Sequence, residues 1–88
     1  MTIKQIRYAI AIAETGSMNK AASRFGVRQP SVSIAVAELE QELGIVIFDR
    51  DPKGMTLTDA GKEFLEGASR LATSFDQLEV RYGLCTCR

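Results

Sequence analysis

The chain has 88 residues, of which 45% are hydrophobic and 25% charged, and its formal net charge at pH 7 is zero. This length accommodates one domain rather than two, and the composition excludes a chain that is disordered over most of its length. The sequence contains no His, the commonest general base, and no Gly-rich phosphate loop, so nothing in it indicates an enzyme.

The N-terminal segment predicts a helix. Thr2 and Gln5, three residues apart, form a capping-box signature at its start, and Gly16 is placed to end it. Apolar residues recur between these ends at helical spacing, namely Ile3, Ile6, Ile10 and Ala13. Because Lys4 and Arg7 interrupt the apolar run, it does not have the pattern of a signal peptide, and no stretch approaches transmembrane length. We therefore expect a cytoplasmic protein without a membrane partner.

Two further helices joined by a tight turn are predicted next. Ser17 is an N-cap candidate for the first of them, and Gly26 is placed to end it. Pro30 fits the first turn of the second, where its missing N–H costs nothing. The apolar stripe of that second helix consists of Val32, Val36, Leu39 and Leu43. This arrangement, over about residues 18–37, is typical of a helix-turn-helix, whose second helix enters the DNA major groove.

Charge is unevenly distributed around this motif. No acidic residue occurs between Glu14 and Glu38, whereas Lys20, Arg24 and Arg28 all lie in that interval. The acidic residues that follow are interpreted as a solvated surface: Glu38, Glu40 and Glu42. Since a phosphate backbone responds to the charge on one face of a protein, the neutral total does not exclude a nucleic-acid partner.

A two-stranded wing is predicted after the third helix. The β-branched run at residues 45–48 favours a short strand. A turn signal follows at residues 51–54, and residues 55–57 can return as the partner strand. The predicted fold is therefore mainly α, with a three-helix core, a small wing and one further helix.

That last helix is predicted to be long and partly uncovered. Thr58 can cap it, with Asp59 in a favourable first-turn position. Its apolar residues alternate three- and four-residue steps, at Leu57, Ala60, Phe64, Ala68, Leu71, Phe75, Leu78 and Tyr82. Such a helix is too long for a domain of this size to bury, so we expect a partner helix to cover it. The alternative is that the stripe packs only on the core of its own domain.

Several motifs in this order resemble one family. They are ETGS at residues 14–17, AA at 21–22, VRQPSVS at 27–33, LEQELG at 39–44, FDR at 48–50 and LTDAG at 57–61. The joint order and spacing is similar to the DNA-binding end of LysR-type transcriptional regulators, a winged helix-turn-helix followed by a linker helix. The resemblance implies a winged helix-turn-helix at residues 1–58, a linker and dimerisation helix at 59–82 and a tail at 83–88. It also implies that a small-molecule inducer would bind a C-terminal domain to which nothing in this sequence corresponds, so no cofactor is expected in this chain.

The resemblance also implies sequence-specific binding of double-stranded DNA by a homodimer that regulates transcription. Gln29 is the candidate for base contact, since its amide can pair bidentately with adenine. The full set of predicted DNA-binding residues is Ser17, Asn19, Lys20, Arg28, Gln29, Pro30, Ser31, Ser33, Ile34, Arg50 and Lys53. The predicted dimer interface consists of Ala60, Phe64, Ala68, Leu71, Phe75, Leu78 and Tyr82.

The sequence leaves an alternative function open, and its only cysteines lie in the tail. The neutral net charge and the apolar Ile34 and Ala37 favour a winged-helix interaction module that dimerises without binding DNA by itself. Cys85 and Cys87 are the only cysteines and lie two residues apart, so they form no disulfide framework. Without any His beside them, they do not indicate a metal site, and no metal is expected.

Overall fold

The computed structural model describes residues 1–52 and 54–82. Its elements follow in the order α1 (Ile3–Thr15), α2 (Met18–Phe25), α3 (Gln29–Leu43), β1 (Phe48–Asp51), β2 (Gly54–Leu57) and α4 (Asp59–Tyr82). The predicted fold class, mainly α with a two-stranded wing, is confirmed. Lys53 and the predicted tail with Cys85 and Cys87 lie outside the described residues. Among the described helices, none has the length and apolar character needed to cross a membrane.

The ends of α1 and α2 are fixed by local hydrogen bonds. The Gln5 N–H donates to Thr2 Oγ1 at 3.1 Å and the Thr2 N–H to Gln5 Oε1 at 3.0 Å, which is the predicted capping box. Ser17 caps α2 by accepting a hydrogen bond from the Lys20 N–H. Gly16 ends α1 with φ 71°, a left-handed conformation in which an L side chain is strained.

The hydrophobic core is built around α1. The apolar stripe predicted for α1 is narrower than the face that is buried, because Tyr8, Ala9 and Ala11 are buried as well as Ile6. The predicted core residue Ala13 is exposed. The reason is that α1 packs against α2, α3 and α4 together. On the other helices, the core residues are Ala21 and Ala22 of α2 and Val32, Val36 and Leu39 of α3.

The wing is an antiparallel pair in which Phe48 lies opposite Leu57 and Arg50 opposite Met55. Its first strand begins at Phe48, so the prediction of a strand from residue 45 is wrong by three residues. The backbone before Phe48 is hydrogen-bonded by the Glu40 carboxylate and by the hydroxyl and N–H groups of Thr58 instead of by a neighbouring strand. These bonds, from Glu40 and Thr58, replace the ladder that the β-branched residues favoured.

Glu40 is not part of a solvated surface, contrary to the prediction. Its Oε2 accepts hydrogen bonds from the Ile47 N–H at 2.7 Å and the Phe48 N–H at 3.2 Å. The side chains of Ile47 and Phe48 are buried, so a carboxylate on α3 satisfies the two N–H groups that lead into the wing. Glu40 thereby fixes the position of β1 relative to α3.

The opposite side of the same segment is held by the start of α4. The Thr58 hydroxyl donates to the Val46 carbonyl and accepts from the Gly61 N–H at 2.9 Å. A Cβ placed on Gly61 would overlap the Ile47 carbonyl oxygen and lie 3.0 Å from its carbonyl carbon. Only a glycine therefore permits this approach between α4 and the segment before the wing.

The first half of α4 belongs to the core, since Leu65 and Ala68 are buried in it. Farther along, Arg7 of α1 joins the two helices by an ion pair with Asp76 at 2.6 Å. Its guanidinium carbon also lies 5.5 Å from the centroid of the Phe75 ring. Because Ala68 belongs to the core, this predicted interface residue is covered by its own chain.

We expect Gly61→Ala to lower the free energy of unfolding by about 1–3 kcal/mol, because the new methyl group overlaps the backbone of Ile47. Gly67→Ala is the matched control in the same helix, since a Cβ there meets nothing within 4 Å. The control should raise stability by about 0.5–1 kcal/mol through helix propensity alone. Urea unfolding at one protein concentration measures both. Equal effects of the two substitutions would contradict the close approach.

We expect Glu40→Ala to lower the free energy of unfolding by about 1–3 kcal/mol, because it removes the acceptor of two backbone N–H groups. Glu40→Gln retains a side-chain oxygen at this position and should cost less than half as much. Glu38→Ala, at an exposed position of the same helix, should change stability by no more than about 0.5 kcal/mol. Chemical denaturation distinguishes the three, and a Glu40→Ala protein as stable as Glu38→Ala would refute this role.

Candidate nucleic-acid interface

The N-termini of α2 and α3 and the tip of the wing lie side by side. The Met55 N–H donates to the Gly16 carbonyl at 3.4 Å, which ties β2 to the turn before α2. A groove between the three elements is lined by Gly16, Ser17, Met18, Asn19, Gln29, Arg50, Asp51, Pro52, Gly54 and Met55. Residues that are far apart in the sequence thus form one face, which we call the groove face.

The start of α3 leaves its predicted contact residues accessible, and Gln29 among them lines the groove. Pro30 and Ser31 are exposed, Gln29 and Ser33 are partly exposed, and Ile34 is 59% exposed. The opposite side of the helix is buried in the core through Val32, Val36 and Leu39. The outward face of α3 therefore combines amide and hydroxyl groups with exposed apolar side chains, a mixture suited to base edges.

Arg28 occupies the N-cap position of α3 in an extended conformation and makes no side-chain cap hydrogen bond. Pro30 lies in the first turn, as predicted. Within residues 1–52 and 54–82, the Arg28 guanidinium forms no ion pair. Its charge is thus available at the entrance to α3.

Side chains from all three elements meet at one thioether. The Gln29 Nε2 donates to the Met18 Sδ at 3.2 Å, and an Arg50 terminal nitrogen lies 3.9 Å from the same sulfur. The same Arg50 nitrogen donates to the Ser33 Oγ at 3.3 Å. The wing arginine therefore reaches across to α3, and the predicted sites Gln29, Ser33 and Arg50 are brought together around Met18.

At the start of α2, Asn19 and Lys20 are exposed, and Ser17 is occupied as the helix cap. Lys20 forms no ion pair within the described part of the chain, whereas Arg24 pairs with Glu14 at 2.5 Å. The cations of the acid-free interval are therefore not equivalent. Lys20 has no ion-pair partner among the described residues, whereas Glu14 balances the charge of Arg24.

Met18 is the one residue of this arrangement that the sequence did not single out. It is 7% exposed and belongs to the core cluster. A methionine directly after a helix cap is typical of a core position, and no local signal shows that its sulfur faces Gln29 and Arg50. Lys53, the remaining predicted DNA-binding residue, lies outside the described residues.

The second candidate surface is the far half of α4. Leu71, Leu78 and Tyr82 are 49%, 53% and 64% exposed, and Phe75 is 37% exposed beside Arg7. Of the other predicted interface residues, Ala60 is exposed and Phe64 is half-buried against the core. At about 100° per residue, this stripe lies about a quarter of a turn round the helix from the core-facing residues. The core does not cover it.

Comparison with known proteins places the chain among bacterial regulators. The model of the bacterial regulatory helix-turn-helix proteins of the lysR family matches residues 3–62. The transcriptional regulator ClcR of Pseudomonas putida is 46% identical over 71 residues, which are 81% of this chain and 24% of ClcR. BsdA of Bacillus subtilis is 42% identical over 81 residues, which are 91% of this chain and 28% of BsdA. The chain thus spans only a minor part of the length of these curated relatives.

Solved structures give the same result over nearly the whole chain. The crystal structure of the CbnR DBD–DNA complex is 37% identical, with a TM-score of 0.87, and covers 98% of this chain and 99% of that one. The BenM DBD/catB site 1 DNA complex is 30% identical, with a TM-score of 0.89, and covers 100% of this chain and 99% of that one. By sequence and by structure, the chain belongs to the lysR family of bacterial regulatory helix-turn-helix proteins.

Proposed function

We propose that this chain binds double-stranded DNA sequence-specifically as a dimer and so regulates transcription in the cytoplasm. The observation that carries the proposal is the groove face, where Gln29 of α3 and Arg50 of the wing meet at Met18 and Arg50 also donates to Ser33. The proposal places no cofactor or inducer within this chain. It rests on the residues present and on membership of the family.

In the proposed complex, α3 lies in the major groove with its first turns against the bases. Gln29 is the principal base reader, because its amide pairs bidentately with adenine N6 and N7. Ser31 and Ser33 bond to base edges or phosphates, and Ile34, which is 59% exposed, contacts a thymine methyl group. The buried side of α3 fixes the helix on the core, so these contacts have a defined register.

Phosphate contacts come from the cations on either side of α3. Lys20 at the start of α2, Arg28 at the start of α3 and Arg50 on the wing form no ion pairs within the described residues. Each can therefore release counterions from the DNA on binding. Asn19, at the N-terminus of α2, adds a hydrogen-bonding group next to the free N–H groups of that helix.

The structures of related proteins support this assignment. The CbnR DBD and the BenM DBD were both solved as DNA complexes, and their folds match that of this chain with TM-scores of 0.87 and 0.89. Their identities to this chain, 37% and 30%, extend over nearly its full length. A common fold over that extent supports a common mode of docking on DNA.

The dimer in this proposal forms through α4. A second copy placed against the exposed stripe would cover Leu71, Phe75, Leu78 and Tyr82 with the same residues of its own helix. Pairing of this kind removes large apolar side chains from water, which is the main source of stability in helix pairs. It also sets the distance between two recognition helices, so the bound site should be approximately palindromic.

The test of DNA recognition compares three single substitutions on duplexes selected from a random pool by the wild-type chain. Gln29→Ala should lower discrimination at one base pair per half-site by about 1–3 kcal/mol. Arg50→Ala should weaken binding to all duplexes and reduce the slope of log affinity against log salt by about 1. Arg24→Ala is the matched control, since Glu14 already balances its charge, and it should change neither quantity. Fluorescence anisotropy at several salt concentrations measures all three.

If the chain dimerises but binds no duplex in a salt-dependent way, its function is that of a protein-interaction module and not of a DNA-binding protein. The exposed Ile34 is the observation that favours that second function, because an apolar side chain there also suits a protein partner.

The test of the dimer is Leu78→Glu, which places a charge in the middle of the exposed stripe. Its expected effect is to weaken dimerisation by at least about tenfold, because the added carboxylate must lose its hydration in the pair. Thr73→Glu adds the same charge at an exposed position on the other side of α4 and should leave dimerisation unchanged. Sedimentation equilibrium over a micromolar concentration series provides the measurement. A wild-type chain that stays monomeric throughout would refute the dimer.

A further inference from the structure

Met18 lies where α2, α3 and the wing meet, and its sulfur contacts the proposed base reader directly. The side chain is 7% exposed, the Gln29 Nε2 lies 3.2 Å from the Sδ, and an Arg50 nitrogen lies 3.9 Å from it. A buried aliphatic residue of similar size would fill this space equally well. What the thioether adds is an acceptor at the edge of the groove.

From this geometry we infer that Met18 is a positioning residue that presents the Gln29 amide for base recognition, an inference that rests on the proposed function. A thioether sulfur carries no hydrogen and can only accept, so it selects the –NH₂ side of the Gln29 amide. It engages one of the two N–H groups. The carbonyl oxygen and the second N–H stay free. These are the two groups that pair with adenine: the oxygen accepts from N6 and the N–H donates to N7.

Arg50 holds the arrangement in place from the wing. One of its terminal nitrogens lies between the Ser33 Oγ, at 3.3 Å, and the Met18 Sδ, at 3.9 Å. Met18 is therefore packed between a residue of α3 and one of the wing and cannot turn its sulfur away from Gln29 without breaking this contact. A side chain that is already ordered before DNA binds loses less conformational freedom on binding, which favours the correct base.

The decisive substitution is Met18→Leu, which keeps an apolar side chain of similar volume and removes the acceptor. Leu65→Met is the matched control, because Leu65 is also 7% exposed, lies in α4 and does not line the groove face. Thermal unfolding establishes that both proteins fold. The first measurement is side-chain ¹⁵N relaxation of the Gln29 amide in the free protein. The second is base discrimination on duplexes selected from a random pool by the wild-type chain.

We expect the Gln29 amide to be rigid in the wild type and in Leu65→Met and mobile in Met18→Leu. At the base pair where Gln29→Ala loses discrimination, Met18→Leu should lose roughly three- to tenfold, and Leu65→Met should lose none. A Gln29 amide that is equally mobile with and without the sulfur, or full discrimination by Met18→Leu, would overturn the inference. A wild-type chain that selects no sequence would overturn the proposed function instead, and the relaxation comparison would still decide whether Met18 orients Gln29.

Discussion

The geometry of the molecule depends on how the short backbone segment at residues 46–48 is held. The carboxylate of Glu40 binds two of its N–H groups, the hydroxyl of Thr58 binds the Val46 carbonyl, and the bare Cα of Gly61 rests against Ile47. One segment is thus fixed by α3 on one side and by α4 on the other. Because the wing and the long helix both leave from this point, their directions relative to α3 are set together.

The consequence for the candidate site follows from the alternation of side chains along a strand. Phe48 is buried in the core, and Arg50, two residues later in the same strand, projects from the same face of the wing. That face is turned toward the helices, so Arg50 reaches Ser33 and Met18 instead of extending away from the domain. The anchor at Glu40 therefore controls where a wing cation meets the start of α3, although it is itself remote from the groove.

Contacts between residues close together in the chain could be predicted from the sequence, whereas contacts between residues far apart in it could not. Thr2, Gln5 and Ser17 cap helices through bonds that span three residues, which a pattern can reveal. Glu40 lies in a row of alternating glutamates, and only the folded chain brings the Ile47 N–H to it. Met18 likewise has the pattern of a core residue, and its contact with Gln29 joins two helices. For both, residue type and spacing carry no information about the partner.

The distribution of side-chain size on α4 argues that its second face has a partner. Apart from Leu65, the buried residues of this helix are small: Gly61, Ala68 and Ala72. Small residues let α4 approach the core closely, and they leave little apolar area to bury there. The large apolar side chains, Leu71, Phe75 and Leu78, lie about a quarter of a turn away. A helix that served only its own domain would gain more stability from the reverse arrangement, so this division by size favours a surface whose burial requires a second molecule.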